Sequence, residues 1–232
     1  MSNFETYQAN VPVIELDDNS RAKFISRTYN HLFAAISAFT LIEITLFKSG
    51  LAGPIAKAML GTSWLLVLGG FMLISWLARS AAHRSTSKAT QYAALAGYVV
   101  AQSIIFVPLL FIADNYAPGA IVSAAAITLV AFVALTLVVF FTGKDFSFLR
   151  GILMWGGILG LVLIGAGAIF GFQLGTFFSV GMVAVAGAAI LYDTSNVLRH
   201  YPEDRYVAAS LELFASVALM LWYVLRLLTS RR

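Results

Sequence analysis

Cysteine is absent from the 232 residues of this chain, and charged residues are scarce. The lack of cysteine excludes disulfide bonds and thiolate metal sites. Asp, Glu, Lys and Arg together make up 11% of the chain, whereas a soluble domain carries roughly 25%. The chain therefore cannot cover a water-facing surface in the usual way, and we expect an integral membrane protein.

Long apolar runs also indicate a membrane protein. Hydrophobic residues make up 60% of the chain, and the mean hydropathy is +0.86. About 20 apolar residues are enough for a helix to cross a bilayer, and the apolar segments do not alternate as transmembrane strands do. The sequence therefore predicts an all-α membrane protein with seven spans. The predicted spans are 29–47, 59–78, 92–113, 119–141, 148–170, 174–192 and 206–228.

These spans divide the chain into three parts. Residues 1–28 are predicted to be a polar cytoplasmic tail, 29–228 a seven-helix transmembrane domain, and 229–232 a short C-terminal tail. The first part has no basic start followed by an apolar core, so we do not expect a cleavable signal peptide. The spans imply contact with the lipid bilayer, but they do not predict the oligomeric state.

The distribution of Lys and Arg predicts the orientation. These residues occur in the first tail and in the loops after the second, fourth and sixth spans, but not after the third and fifth. Positive loops favour the cytoplasm, which places the N-terminus inside. Lys48 and Lys57 run against this pattern, as do Arg231 and Arg232 at the chain end. Because loop charges explain the net charge of +4, we expect no nucleic-acid partner. The compact chain suggests that the membrane is a bacterial inner membrane.

Catalytic motifs are missing from the sequence. It contains neither the GxSxG of serine hydrolases nor the HExxH of zinc proteases. No phosphate-cradling loop or nucleotide-binding motif is present either. We therefore expect no enzyme activity and no cofactor.

Ionisable residues inside the predicted spans are the candidates for function, because each costs roughly 2.5–3.5 kcal/mol on insertion scales. Glu43 lies within the first span, where it either lines a cavity or meets a polar partner. Asp193 ends the sixth span, and Glu212 lies about two turns into the seventh. Arg79 follows the second span. Charges expected to reach the headgroups by snorkelling are His31, Asp114 and Arg226.

Asp193 and Glu212 are predicted to approach each other, because a short connection makes the last two spans antiparallel neighbours. Two close carboxylates do not ionise together cheaply, so they share a proton. Such a pair can act as a proton-sensitive latch, with Arg79 bound to either carboxylate in a closed state. In the alternative interpretation, Asp193 caps a helix end and Glu212 forms a hydrogen bond within the bundle.

Glycines in the fifth span are spaced one helical turn apart, as Gly156 with Gly160 and Gly167 with Gly171. This spacing lets helix backbones approach closely. It favours close packing inside the bundle, and a dimer interface is the alternative.

Three segments in order resemble the Bax inhibitor-1 family and its bacterial relatives. They are SWLARSAAHR at the end of the second span, GKDFSFLRG after the fourth, and AILYDTSNVLRHY at the end of the sixth. The resemblance covers essentially the whole membrane region. It implies six helices around a central, unusually hydrophobic seventh.

The resemblance also implies a pH-sensitive calcium leak, with two aspartates as the proton sensor and an arginine that locks the closed state. Asp193 matches the first aspartate, and Arg79 matches the arginine. Ser216 stands where the second aspartate would be, and Glu212 lies one turn earlier and can supply a displaced carboxylate. Asp193 and Glu212 would then be transient calcium ligands.

Two function hypotheses remain. The first is a proton-gated leak for calcium or other cations. The second is an interaction protein that restrains another membrane protein, such as a quality-control protease, with the acidic tail residues Glu15, Asp17 and Asp18 as the handle. A purely structural or stress-response role is the remaining alternative.

Overall fold

The computed structural model describes residues 11–230, so the first ten residues of the predicted tail, and Arg231 and Arg232, lie outside it. Residues 11–230 form eight α-helices and two short 3-10 helices, at Val13–Glu15 and Glu203–Arg205. The α-helices are α1 Asp18–Lys48, α2 Ala52–Leu60, α3 Trp64–Arg84, α4 Lys88–Tyr116, α5 Ala120–Thr142, α6 Leu149–Phe170, α7 Thr176–Arg199 and α8 Tyr206–Ser230.

All of these α-helices except α2 are long and apolar enough to cross a membrane. The prediction of an all-α, multi-pass membrane protein with seven spans is therefore confirmed. The nine-residue helix α2 was not predicted, and it lies between the first two spans. Its Ala52 and Ala56 are buried against Val107 of α4.

The first helix begins at Asp18, earlier than the predicted start of the first span. Asp17 caps it, because one of its carboxylate oxygens accepts hydrogen bonds from the backbone N–H groups of Asn19 and Ser20, both at 3.0 Å. The second half of the predicted tail is therefore largely helical and continuous with the first span.

Helix α8 lies at the centre of the bundle, where it packs against α1, α3, α4, α5 and α7. Of its apolar stretch, 72% is buried inside the protein, against 6% for α6, which packs mainly on α7. The centre is not unusually hydrophobic, contrary to what the resemblance implies. The apolar stretch of the span that contains α8 has a mean hydropathy of 1.8, below the 2.7 of the stretch in α5, since the inner faces of α8 carry small and polar residues that let neighbouring helices approach.

Aromatic rings join α8 to α1 and α4. Phe106 meets Phe39 at 5.2 Å between ring centroids and Trp222 at 5.0 Å, both edge to face. Tyr98 meets Phe214 in the same way at 6.0 Å. Each such pair adds about 0.5–1.5 kcal/mol beyond its buried area, so these contacts fix the three helices relative to one another.

The glycines of α6 have two different roles. A Cβ atom on Gly156 would lie 3.1 Å from Val185 of α7, and one on Gly160 would lie 3.2 Å from Met182. The structure thus supports packing inside the bundle for this pair. Gly171 instead ends α6 with a φ of +74°, a conformation that side chains other than glycine rarely adopt.

The segment before α1 is docked on the turn between α7 and α8. The backbone N–H of Val13 donates to the carbonyl of Tyr201 at 2.9 Å, and Pro12 pairs with Pro202. Val13 is fully buried, and the ring of Phe24 stacks on Tyr201. The start of the described chain therefore covers the ends of the last two spans.

Candidate functional site

Polar residues from three helices meet where α3 and α7 end and α8 begins. Helix α3 contributes Arg79 and His83, one turn apart, and α7 contributes Asp193 near its end. Helix α8 contributes Glu212 and Ser216, also one turn apart. We call these five residues the gate cluster. It contains four of the residues that the sequence singled out, together with His83.

Glu212 binds both basic residues of α3. Its Oε2 lies 2.5 Å from Nη1 of Arg79, and its Oε1 accepts a hydrogen bond from Nε2 of His83 at 3.0 Å. The Glu212 side chain is only 14% exposed. Hydrogen bonds to a charged group are stronger than those between neutral groups, and more so away from water. Glu212 therefore ties α3 to the central helix.

Asp193 has a different partner. Its Oδ2 accepts a hydrogen bond from the Ser216 hydroxyl at 2.5 Å, and both residues are buried. Asp193 and Glu212 therefore do not share a proton directly in this structure, because each carboxylate contacts its own donors. The charge of Glu212 nevertheless acts on Asp193. Asp193 thus contacts α8 at Ser216, one turn after Glu212.

Two tyrosines face the gate cluster from outside it. Tyr98 of α4 interacts with Arg79. Tyr201, in the turn after α7, stacks its ring on His83 at 5.9 Å between centroids. Burial raises the pKa of the Tyr201 hydroxyl well above its ordinary value, so this phenol stays neutral at physiological pH. The docked segment around Val13 is therefore in contact with a direct neighbour of the site.

Glu43 lies away from the gate cluster, in the C-terminal third of α1. It is buried, and neither of its carboxylate oxygens has a hydrogen-bond partner. The structure does not bring it together with Asp193 or Glu212. Its assignment as a pore-lining residue stays a prediction.

The comparisons with known proteins show the family of this chain. Residues 21–232 match the family described as "Inhibitor of apoptosis-promoting Bax1". The chain belongs to the Bax inhibitor-1 family. It is also 39% identical over 100 residues to an uncharacterized protein of Pseudomonas aeruginosa, a match that covers 42% of this chain and 44% of that protein. The match therefore spans less than half the length of this relative.

Sequence reasoning missed His83 in this member of the Bax inhibitor-1 family. The predicted second span ended at residue 78, so His83 was assigned to a loop, whereas α3 continues to Arg84. A signal was nevertheless present: His83 lies four residues after Arg79, as Ser216 lies four residues after Glu212. Residues at this spacing share one helix face.

The loop between α5 and α6 holds the end of α7 that carries Asp193. The backbone N–H of Phe146 donates to the Ser195 hydroxyl at 3.0 Å, and Arg199 donates to the carbonyl of Gly143. Asp145 accepts from the N–H of Ser147 at 2.9 Å, which lowers the pKa of Asp145. This loop is the GKDFSFLRG segment through which the chain resembles the Bax inhibitor-1 family, and its contacts indicate a positioning role.

A groove of about 780 Å³ runs along α6, but it is not part of the site. Its lining is apolar and includes Ile152, Trp155, Leu159 and Val162. Such a surface on a span of this Bax inhibitor-1 protein suits contact with lipid.

Proposed function

We propose that this protein is a proton-gated leak for cations, with calcium as the ion, and that the gate cluster is its gate. The proposal rests chiefly on one observation: Arg79 of α3 binds Glu212 of α8 while Asp193 of α7 lies beside them. Three spans are thereby held together at one end of the bundle through charged groups. Family membership supports the proposal.

The charges of the gate cluster explain why a proton would matter. Arg79 offsets one of the two carboxylates, whereas Asp193 has only a neutral hydroxyl as its direct partner. With His83 neutral, the cluster therefore has a net charge of minus one when both carboxylates are ionised. It is neutral when one of them takes up a proton. Three further groups can modify this balance. They are His83, which belongs to the cluster, and Tyr98 on α4 and Tyr201 after α7, which face it.

Calcium fits the chemistry of these residues. It is a hard cation that prefers carboxylate and carbonyl oxygens, and acidic residues favour cations in a pore. If Arg79 released Glu212, that carboxylate and Asp193 would both become available to a passing ion. We therefore propose that Asp193 and Glu212 bind calcium transiently rather than as a resident metal site.

The test is calcium flux through purified protein in liposomes that contain a calcium dye. Influx is recorded at about pH 6, 7 and 8, a range over which buried carboxylates titrate, for the wild type, Asp193→Asn and Glu212→Gln. Asp114→Asn is the matched control, because it removes an exposed carboxylate near the end of α4, outside the gate cluster. We expect a pH-dependent leak that Asp193→Asn makes independent of pH, that Glu212→Gln increases several-fold, and that the control leaves unchanged.

Other outcomes have clear meanings. A leak that changes with Asp193→Asn alone would restrict the gate to Asp193 and leave Glu212 a packing role. If the wild type shows no flux at any pH, the leak proposal is wrong.

A second function is favoured by the docked segment before α1. Val13 and Phe24 contact Tyr201, which in turn stacks on His83 of the gate cluster. A membrane partner that holds the acidic tail would therefore act next to the same site. For this alternative, Glu15→Gln with Asp18→Asn, which keeps the Asp17 cap of α1, should leave calcium flux unchanged but abolish the association with a membrane-bound quality-control protease. An association that survives these two changes would contradict the proposed handle.

A further inference from the structure

A second polar cluster lies at the same end of the bundle, between α1, α4 and α8. It consists of Arg27 and His31 of α1, Lys88 and Tyr92 of α4, and Tyr206 of α8, and we call it the tyrosine–cation cluster. None of these residues belongs to the gate cluster. No sequence pattern groups them, and the leak proposal does not use them.

Two cations converge on a single aromatic ring in this cluster. Nζ of Lys88 lies 4.3 Å from the centroid of the Tyr206 ring, and Cζ of Arg27 lies 5.4 Å from the same centroid. Within residues 11–230, neither cation forms an ion pair with a carboxylate. The nearby Asp204 is paired with Arg205 at 3.3 Å and offers Lys88 only its backbone carbonyl. An excess of positive charge is therefore held in place without a negative partner.

The N-terminus of α4 adds to this positive field. Helix α4 begins at Lys88, within the cluster, whereas α8 continues directly from the 3-10 helix Glu203–Arg205. The first N–H groups of a helix have no partner inside it and carry a partial positive charge. The residue before α4, Ser87, makes no side-chain capping bond. An anion beside Lys88 would interact favourably with this helix end.

Hydrogen-bond donors complete the site. Nδ1 of His31 donates to the carbonyl of Arg27 at 2.6 Å, and Nε2 of His31 lies 3.0 Å from the Tyr92 hydroxyl. The Tyr92 and Tyr206 hydroxyls are 3.3 Å apart. In the tautomer that donates from Nδ1, Nε2 of His31 accepts from the Tyr92 hydroxyl. Because a hydroxyl group can rotate, the Tyr92 hydroxyl can donate to an anion instead.

We propose that the tyrosine–cation cluster binds a phosphate group, presented either by the headgroup of an anionic phospholipid or by free phosphate. The cations, the hydroxyls and the N-terminus of α4 are all complementary to phosphate oxygens. Basic pockets between spans at a membrane surface are a known way to hold such headgroups. The bound group would bridge α1, α4 and α8. This proposal stands independently of the leak.

The test measures the thermal stabilisation of the purified protein in mild detergent. One series adds phosphatidylglycerol with phosphatidylcholine as the uncharged reference, and another adds inorganic phosphate alone. The cluster variant is Arg27→Gln with Lys88→Gln. The matched control is Arg21→Gln with Lys23→Gln. It also removes two positive charges, but from the first turns of α1 and outside the cluster. Tyr92→Phe is a milder variant that removes only a hydroxyl. Each protein is compared with its own melting temperature without additive.

We expect the half-saturating concentration to rise by about tenfold or more in the cluster variant, by a few-fold in Tyr92→Phe, and by less than about twofold in the control. Stabilisation by phosphatidylglycerol alone would identify a lipid headgroup as the source. Stabilisation by inorganic phosphate alone would identify free phosphate, and both results support the site. Equal weakening in cluster variant and control, or no preference of the wild type for either phosphate source over phosphatidylcholine, would overturn the proposal.

Discussion

Ser216 shows how one side chain changes the arrangement of charges around it. A serine hydroxyl can donate to Asp193 but cannot carry a negative charge, so it gives Arg79 nothing to bind at this level of α8. The carboxylate one turn earlier, Glu212, takes both Arg79 and His83 instead. On α8, Glu212 therefore binds the arginine, and Ser216 contacts Asp193.

The Arg79–Glu212 pair should contribute measurably to stability, and a double-mutant cycle can test this without any assumption about transport. We expect Arg79→Ala and Glu212→Ala to show a coupling energy of about 1–2 kcal/mol, because the pair is in contact and the Glu212 side chain is only 14% exposed, although that of Arg79 is 44% exposed. Unfolding in mixed detergent micelles provides the measurement.

The control for this cycle is the exposed pair of His200 and Asp145, which lie 3.5 Å apart. Exposed ion pairs contribute about 0–1 kcal/mol, so its coupling energy should be clearly smaller. If the effects of Arg79→Ala and Glu212→Ala simply add, the observed contact does not hold α3 to α8.

Asp193 and Glu212 could be selected from the sequence because a carboxylate within or at the end of an apolar span is costly and therefore conspicuous. Their separate partners could not be predicted. The partner of each carboxylate depends on how far α3 is shifted along α8, and hydropathy carries no information about such a shift. His83 was missed for a related reason, since the apolar run ends before the helix does.

At the scale of whole helices, hydropathy predicted the spans and missed what lies outside the hydrocarbon. The first turns of α1 are polar, so their helical state rests on the Asp17 cap rather than on an apolar pattern. Helix α2 is too short for a span and contains Gly53 and Pro54, which are more typical of a loop. Its burial against α4 depends on the tertiary fold.

The contact between α6 and α7 leads to a prediction about adjacent glycines. Gly156→Ala should destabilise the protein by about 1 kcal/mol, because the new methyl group would press on Val185. Gly157→Ala is the control, since a Cβ atom there would have no neighbour within 4 Å. It should be neutral or stabilise by up to about 1 kcal/mol through helix propensity. Equal effects of the two changes in detergent unfolding would argue against the close α6–α7 contact.

For the whole molecule, the most apolar helix is not the most buried one. The apolar stretch of α5 has a mean hydropathy of 2.7 and is 22% buried, whereas that of the span containing α8 has a mean hydropathy of 1.8 and is 72% buried. Lipid is as apolar as the side chains, so no hydrophobic force drives the most apolar helix inward. Composition alone therefore could not identify the central helix, and the resemblance was needed for that expectation.

The orientation in the membrane is a prediction that the absence of cysteine makes easy to test. Thr86→Cys, in the exposed loop between α3 and α4, and Thr62→Cys, between α2 and α3, would each be the only thiol in the chain. With the N-terminus inside, a membrane-impermeant maleimide should label Thr62→Cys on intact cells and Thr86→Cys only after lysis. The reverse pattern would show that the protein is inserted the other way round.

The contact between Val13 and Tyr201 has a consequence for how the protein is made. The chain emerges from the ribosome N-terminus first, so Val13 is synthesised long before the turn that carries its partner carbonyl. Arg79 likewise enters the membrane with the second span, whereas Glu212 arrives only with the seventh. Both contacts are therefore closed at the very end of biogenesis, and until then an arginine must wait in or beside the bilayer without its carboxylate. A chain truncated before α8 would keep that unpaired charge and should be an early target for membrane quality control.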